Sequence, residues 1–368
     1  MSLARDILDR IFFPDRDVHA IPVLDGGFSP NQRLEEAEPV AEFDEPDAIA
    51  RGVDGALYVS SGNTVFVANE GDQHRWSPFA KLAQPVGAVA CSTERIYVAA
   101  LGRGVVAFDR NGRELAEVTE ADGASLRCVT ALAVSQHGRL YATDGSRYNG
   151  AEEWLQDLMQ NRQGSGRLIA CDADLRKPMV LKDGMSWPAG IAFSRDDQEV
   201  LVTEAWAHRL SAVAKKDGAT RVIVRNFAGY PTRIVPASDG GYWIAFFALR
   251  TQLTEFLLRE HDFRERMMRE IPKELWIGPS LGGHFDYREP NQIGRIKKLG
   301  IQKPWAPARS YGLVARISDA GYAAESLHSR AAGSVHGVTD VVESGDRLFV
   351  VSKGRGKVLV TPLKRRAA

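Results

Sequence analysis

Six segments of this chain repeat one pattern: an apolar strand, a polar turn rich in Gly or Asp, and a second apolar strand. They read EPDAIARGVDGALYVSS from Glu45, QPVGAVACSTERIYVAA from Gln84 and CVTALAVSQHGRLYATD from Cys128. WPAGIAFSRDDQEVLVTEA from Trp187, YPTRIVPASDGGYWIAFF from Tyr230 and HGVTDVVESGDRLFVVS from His336 complete the set. Tyr58, Tyr97, Tyr141, Leu201, Trp243 and Phe349 share one late-strand position and fix the register. Pro46, Pro85, Pro188 and Pro231 stand just before the first strand, where a missing N–H costs no ladder bond. Further short strands follow each pair, among them TVFVANE from Thr64, GVVAFDR from Gly104, RLIACDA from Arg167 and KVLVTPL from Lys357. Four strands per unit is the content of one propeller blade. The expected fold is an all-β, six-bladed β-propeller over residues 1–368 as a single domain. Blades bury their faces only on neighbours, so the ring must close. A strand near Ala20–Leu24 is expected to complete the last blade beside KVLVTPL.

Two stretches break the period. Residues 146–166 form a short insertion. Residues 250–310 form a longer lid insertion, beginning with apolar residues at helical spacing: Leu253, Phe256, Leu257, then Phe263, Met267, Met268 and Ile271. One or two amphipathic helices followed by a Pro- and Gly-rich lid are expected, and long insertions on rigid scaffolds commonly carry function. Residues 1–19 are read as a helix and lead-in, with Leu3, Ile7, Leu8, Ile11 and Phe12 on one face and Pro14 ending it.

Charge excludes some classes of function. Lys plus Arg number 47 and Asp plus Glu number 47, so the positive excess of nucleic-acid and polybasic membrane binders is missing. Cys91, Cys128 and Cys171 are odd in number and have no metal-finger spacing, which reads as buried thiols in a reducing compartment. No uninterrupted apolar signal core opens the chain. A cytoplasmic protein is expected, with a small molecule as its partner and no nucleic acid or membrane. Oligomeric state is left open.

Several segments resemble a known superfamily: YATDGS from Tyr141, GRLIACD from Gly166, WPAGIAFS, LVTEAWAHRL from Leu201 and AGYPTRIVPASDGGYWIAF from Ala228. They are similar to strictosidine synthase-like proteins, whose wider relatives are the paraoxonases and the gluconolactonase/regucalcin group of six-bladed propellers. The resemblance implies a site at the top of the central channel, where hydrolases of the superfamily hold a catalytic Ca²⁺. Carried over position by position, its ligands fall on Asp47, Asp144, Ala189, Thr232 and Arg233. Two carboxylates remain, one ligand is lost, and a permanent cation replaces an amide oxygen. No cofactor is therefore expected. If Ca²⁺ is present after all, Asp47 and Asp144 are its ligands. The glutamate base of plant strictosidine synthases falls at or next to Thr339, with Asp340 one further on. Threonine is no base near neutral pH, so a Pictet–Spengler reaction is not expected.

The catalytic candidates are Asp47, Asp144, Arg233 and His336, the histidine as a possible base at the channel mouth. Trp187, Tyr230, Thr232, Arg250, His284 and Tyr311 are the candidate substrate contacts, with Trp206, Trp305 and Arg309 near them. An apolar mouth with a few fixed charges suits a small, anionic organic molecule. The leading expectation is a metal-independent lactone or ester hydrolase, with His336 or a carboxylate activating water and Arg233 steadying the oxyanion. The alternatives are a non-catalytic propeller sealed by an Asp/Arg network and a Ca²⁺-dependent lactonase. Gly278-Pro-Ser280-Leu-Gly282 spells G-x-S-x-G but lacks the strand–helix elbow that a serine nucleophile needs. Gly354–Lys357 is read as a hairpin turn rather than a phosphate loop.

Overall fold

The computed structural model describes residues 20–69, 71–160, 164–282, 310–330 and 333–363, plus a short pair of strands at Lys297–Lys298 and Ile301–Gln302. The N-terminal helix proposed for residues 1–19 lies outside them. The described strands form six four-stranded antiparallel sheets. Blade 1 spans residues 46–81, blade 2 86–118, blade 3 129–185, blade 4 188–224 and blade 5 229–329. Blade 6 takes its first three strands from residues 338–362 and its outer strand from Glu38–Glu42.

That outer strand closes the ring, but not where the sequence reading put it. Glu38–Glu42 pairs with Lys357–Pro362, whereas residues 20–25 are non-regular. EPVAE buries Val40 against Ile49, Phe349, Val351 and Val358. IPVL around Ala20 has the apolar residues for a strand, but Val23 is 80% exposed. The apolar run was misleading because an outer strand needs only one buried residue.

The second strands LYVSS and IYVAA are buried throughout, whereas the outer strands SPFAK and ELAEV are mostly exposed. Each pair of adjacent blades shares one apolar cluster, including the pair that joins blade 6 to blade 1. Every buried Val, Leu or Ile there contributes about 1.5–3 kcal/mol. Closure thus completes the burial of both terminal blades.

Within a blade the inner strand runs away from one end of the channel and the second strand returns to it. The connection between second and third strands therefore lies where the inner strands begin. Both insertions use it, in blade 3 between Asp144 and Gly166 and in blade 5 between Leu249 and Gly312. The first carries α1 (Trp154–Gln160). The second carries α2 (Gln252–Arg259), capped by Thr251 Oγ1 on the Thr254 N–H, and α3 (His261–Glu270). Leu257, Leu258 and Met267 pack on Leu158 and Met159 of the blade 3 insertion and on Phe247. Phe256, Phe263 and Ile271, expected on the packed face, are instead 53%, 55% and 43% exposed. No helix among the described residues is long and apolar enough to cross a membrane.

Candidate functional site

The inner strands share one irregularity. In each, the register with the second strand slips by one residue near its start: between Pro46 and Ile49, Val86 and Ala88, Val129 and Ala131, Pro188 and Gly190, Pro231 and Ile234, and Val338 and Asp340. A bulge re-aims the extra residue. Asp47, Gly87, Thr130, Ala189, Thr232 and Thr339 stand at these six slips, and all six line one cavity of about 340 Å³. The chain leading into these strands is itself tightly held. Glu45 and Trp187, each directly before an inner strand, take φ of 56° and 52°, which non-glycine residues rarely adopt, and Gly337 holds the same place in blade 6 at 59°. Gly190 is required for the strands to converge, since a Cβ there would lie 2.4 Å from the Thr232 carbonyl oxygen.

The second-to-third-strand connections supply the walls. Leu101 comes from blade 2, Ala151, Glu152 and Trp154 from the blade 3 insertion, and Ala205 and Trp206 from blade 4. Blade 5 gives Leu281 from its connection and Phe247 from the second strand itself, and blade 6 gives Lys353. One side is aromatic: Trp187 stacks on Trp206 with centroids 5.0 Å apart, and Phe247 meets Trp154 edge-on at 5.2 Å. The opposite side is charged.

Arg233 reaches from blade 5 across the channel. Its Nη1 donates to the carbonyl oxygens of Asp47 and Thr339 at 3.0 and 3.2 Å. Nη2 donates to the Gly87 carbonyl and pairs with Asp47 Oδ1 at 2.7 Å. Nε faces Asp340 Oδ2 at 3.7 Å. One guanidinium thus ties blade 5 to blades 1, 2 and 6, and its terminal N–H groups are spent on the protein. Asp340 lies beneath, accepting the Ile49 and Val341 N–H groups at 2.8 Å each. Burial pushes its carboxyl up to about 7 against the pull of Arg233 and these two bonds.

Asp47 binds two cations, Arg233 through Oδ1 and Lys353 Nζ through Oδ2. Burial alone would raise its pKa, but Lys353 and Arg233 together hold it below the ordinary aspartate value. The Lys353 side chain is 29% exposed and has three donors, of which Asp47 takes one. It is therefore the cation that a ligand meets, and the sequence reading missed it. The repeat gave only a partial signal. Lys353 follows the last residue of a second strand, where four other units have Gly62, Leu101, Gly145 and Ala205 and the fifth has Arg250, a cation buried against Glu255.

The other expected site residues divide clearly. Asp47, Arg233, Trp187, Thr232 and Trp206 line the pocket. Asp144 does not. It is fully buried at the end of the second strand of blade 3, paired with Arg167 at 2.9 Å and accepting the Cys128 N–H. Glu204 does the same in blade 4, accepting the Ser186 N–H and pairing with Arg209 at 2.7 Å. Ser61 and Ser352 bond to Asp44 and His336 from the matching position. Asp144 is thus a clamp within its blade, and Thr130 holds the ring position of blade 3.

His336 is 1% exposed and absent from the pocket lining. Its Nδ1 meets Ser310 Oγ at 2.5 Å, and burial takes its pKa down to about 4. Tyr230 backs the aromatic wall from behind Trp206. Arg250 is buried against Glu255 at 2.8 Å, anchoring α2, and Tyr311 bonds His328 Nδ1 at 3.1 Å. None of these four lines the pocket. His284, Trp305 and Arg309 lie outside the described residues. Ser280 donates to the Gly282 carbonyl in an irregular stretch and is no nucleophile elbow, while Lys353–Arg355 is a tight turn within a hairpin, as expected.

Buried neutral histidines make stability depend on pH. His328 and His336 are both pushed by burial to about 4, whereas an unfolded histidine titrates near 6.5. As pH falls from 6.5 to 4 the unfolded chain takes up protons that the folded chain refuses. Each histidine thus removes up to about 1.4 kcal/mol of stability per pH unit. Asp340 acts with the opposite sign, since its raised pKa favours the folded state at low pH and that contribution is lost as pH rises towards 7. Asp144, also raised by burial, acts in the same sense as Asp340, so the histidine contribution is read by difference between wild type and a histidine variant, from urea unfolding at pH 6.5, 5.5 and 4.5. A His328→Gln variant is expected to lose less stability per pH unit on acidification than wild type.

A calcium ion takes six to eight oxygen ligands. The ring offers one carboxylate, Asp47, whose two oxygens already hold Arg233 and Lys353. The hydroxyls of Thr130, Thr232 and Thr339 donate to carbonyls, and Gly87 and Ala189 bring no side-chain oxygen. Among the described residues no three His, Cys, Asp or Glu side chains gather as a metal site. The residues present do not fit calcium. Adding millimolar Ca²⁺ or EDTA is expected to leave the melting temperature within about 1 °C, because only a ligand of the native state raises it.

Comparison with known proteins agrees with this architecture. The human adipocyte plasma membrane-associated protein is 28% identical over 352 residues, covering 90% of this chain and 79% of that protein. Arabidopsis thaliana strictosidine synthase-like 4 is 26% identical over 166 residues, 45% of each chain. Among solved structures, a gluconolactonase from Xanthomonas campestris superposes with a TM-score of 0.57 at 14% identity over 89% of both chains. The calcium-binding regucalcin of Agrobacterium tumefaciens gives 0.56 at 13% identity, over 90% of this chain and 97% of that one. At such identities the structural likeness speaks for the fold alone. The model of the SMP-30/gluconolactonase/LRE-like region matches residues 60–266, more than half of the chain, and this protein belongs to that family.

Proposed function

We propose that the channel-top pocket binds a small organic molecule and hydrolyses a lactone or ester in it without a resident metal. The observation that carries this reading is the Asp47–Lys353 pair, a carboxylate and a partly free ammonium facing an aromatic-walled cavity. Water attacks the substrate carbonyl carbon while Asp47 accepts its proton. Lys353 donates to the carbonyl oxygen as negative charge develops there. The leaving alkoxide recovers the proton from Asp47, the acid formed loses its remaining proton to solvent, and Lys353 holds the resulting carboxylate. Arg233 takes no direct part and keeps Asp47 in place. Because its two cations lower its pKa, Asp47 is a weak base, and activated esters and strained lactones are the expected substrates.

A second reading is a binder without turnover. It is favoured by the saturation of Asp47, both of whose oxygens are already paired. A panel of lactones and aryl or alkyl esters, assayed with wild type and Asp47→Asn, separates the two. Turnover by wild type that the variant loses while still binding supports the hydrolase. Binding without turnover by wild type supports the second reading. Neither turnover nor binding would overturn both.

A further inference from the structure

Asp157 is a buried carboxylate that the proposed chemistry does not use. It sits on α1 with no solvent exposure, and no ion pair to it is seen among the described residues. Burying a charge is costly unless it is well bonded. Three neutral donors supply the bonds: Ser146 Oγ at 2.6 Å, Asn149 Nδ2 at 2.8 Å and the indole Nε1 of Trp206 at 2.8 Å. Ser146 and Asn149 belong to the blade 3 insertion, whereas Trp206 belongs to blade 4. The carboxylate therefore joins two neighbouring blades through an indole that lines the pocket.

We infer that Asp157 is a positioning residue for ligand recognition, acting through Trp206, and that holding this indole is a function of the 146–160 insertion. An indole has a single N–H, so a fixed acceptor there fixes the ring plane. A charge-assisted bond is roughly twice as strong as a neutral one. Trp206 held in this way stacks on Trp187 at an interplanar angle of 29°, and both indoles line the cavity as one preformed aromatic wall. The ligand class that matches is a planar or flat-faced organic molecule laid against Trp206, with its carbonyl towards Lys353. This orientation rests on the function proposed above, but the role of Asp157 is testable without it.

The test is a double-mutant cycle of Asp157→Ala and Trp206→Phe, with Asp157→Asn as the conservative variant. Without ligand, Asp157→Ala is expected to red-shift tryptophan emission and to increase acrylamide quenching. Asp157→Asn, which keeps an acceptor for the indole, is expected to restore most of both. With the best substrate of the ester and lactone panel, Asp157→Ala is expected to raise KM about tenfold and to change kcat less than about twofold. In the Trp206→Phe background the same change is expected to alter KM by less than about twofold. Unchanged emission and quenching in Asp157→Ala would overturn the inference whether or not a substrate exists. So would an equal KM effect in both backgrounds. If Asp157→Ala does not fold, Asp157→Asn must still retain the wild-type emission, and its failure to do so overturns the inference as well.

Discussion

Replacing Arg233 with methionine is expected to lower the unfolding free energy by about 3–5 kcal/mol, the cost of breaking a buried ion pair from one side. Arg233 cannot lose its charge, and Asp47 and Asp340 both depend on it. Removing it leaves Asp47 with Lys353 alone and leaves Asp340 buried without a cation. It also strips donors from the carbonyls of Asp47, Gly87 and Thr339, which belong to blades 1, 2 and 6. Met fills similar volume, so little of the loss would come from a cavity. Urea unfolding of both proteins at pH 7 measures the difference. A change below about 1 kcal/mol would show that the guanidinium contributes no more than a surface ion pair.

Lys353→Met is expected to act in the opposite manner, with a large effect on activity and a small one on stability. Lys353 is at the rim and partly solvated, so its pairing with Asp47 is worth little to folding. If it stabilises the oxyanion, kcat/KM for the best ester or lactone should fall by about 10²–10³-fold, the usual cost of one such donor. Asp47→Asn should lose a comparable factor by removing the base. Comparing kcat/KM with melting temperature for the two variants checks this. If Lys353→Met keeps wild-type kcat/KM, the oxyanion role is wrong.

The contrast between these residues shows what the sequence could reveal. Arg233 and Asp47 were legible through the superfamily resemblance, Arg233 because a cation stands where it implies an oxygen ligand and Asp47 because a carboxylate stands at the first ligand position it implies. Asp144 was misplaced because the acid of YATDGS ends a second strand, while the channel ring is built by the starts of inner strands. Only the one-residue register slip distinguishes these positions, and no residue type marks it: the six slip residues are Asp, Gly, Ala and three Thr. His336 carries the right chemistry but is taken out of the pocket by burial, which a single histidine in a sequence does not disclose. Lys353 was visible only by aligning the ends of second strands.

The fold was more legible because it rests on repetition rather than on single residues. Six copies of one pattern gave the blade count and the interruptions gave both insertions. The closing strand was expected from the N-terminal region but in the wrong segment, Ala20–Leu24 instead of Glu38–Glu42. EPVAE is short and half polar, and what makes it a strand is its partner, Lys357–Pro362, more than 300 residues later. The insertions were located without their consequence. That α1 would lean over the channel and bond Trp206 through Asp157 depends on where the second-to-third-strand connections emerge.

The account places function in the channel-top pocket, with Lys353 and Trp206 on opposite sides of a bound molecule. Crystals soaked with the tightest-binding member of the ester and lactone panel test this most directly. The predicted result is ligand density in the cavity, with a ligand oxygen within hydrogen-bonding distance of Lys353 Nζ and the apolar body against the Trp206 ring. Density confined to another site, such as the outer groove beside Phe43 and Trp76, with the channel top empty, would contradict it.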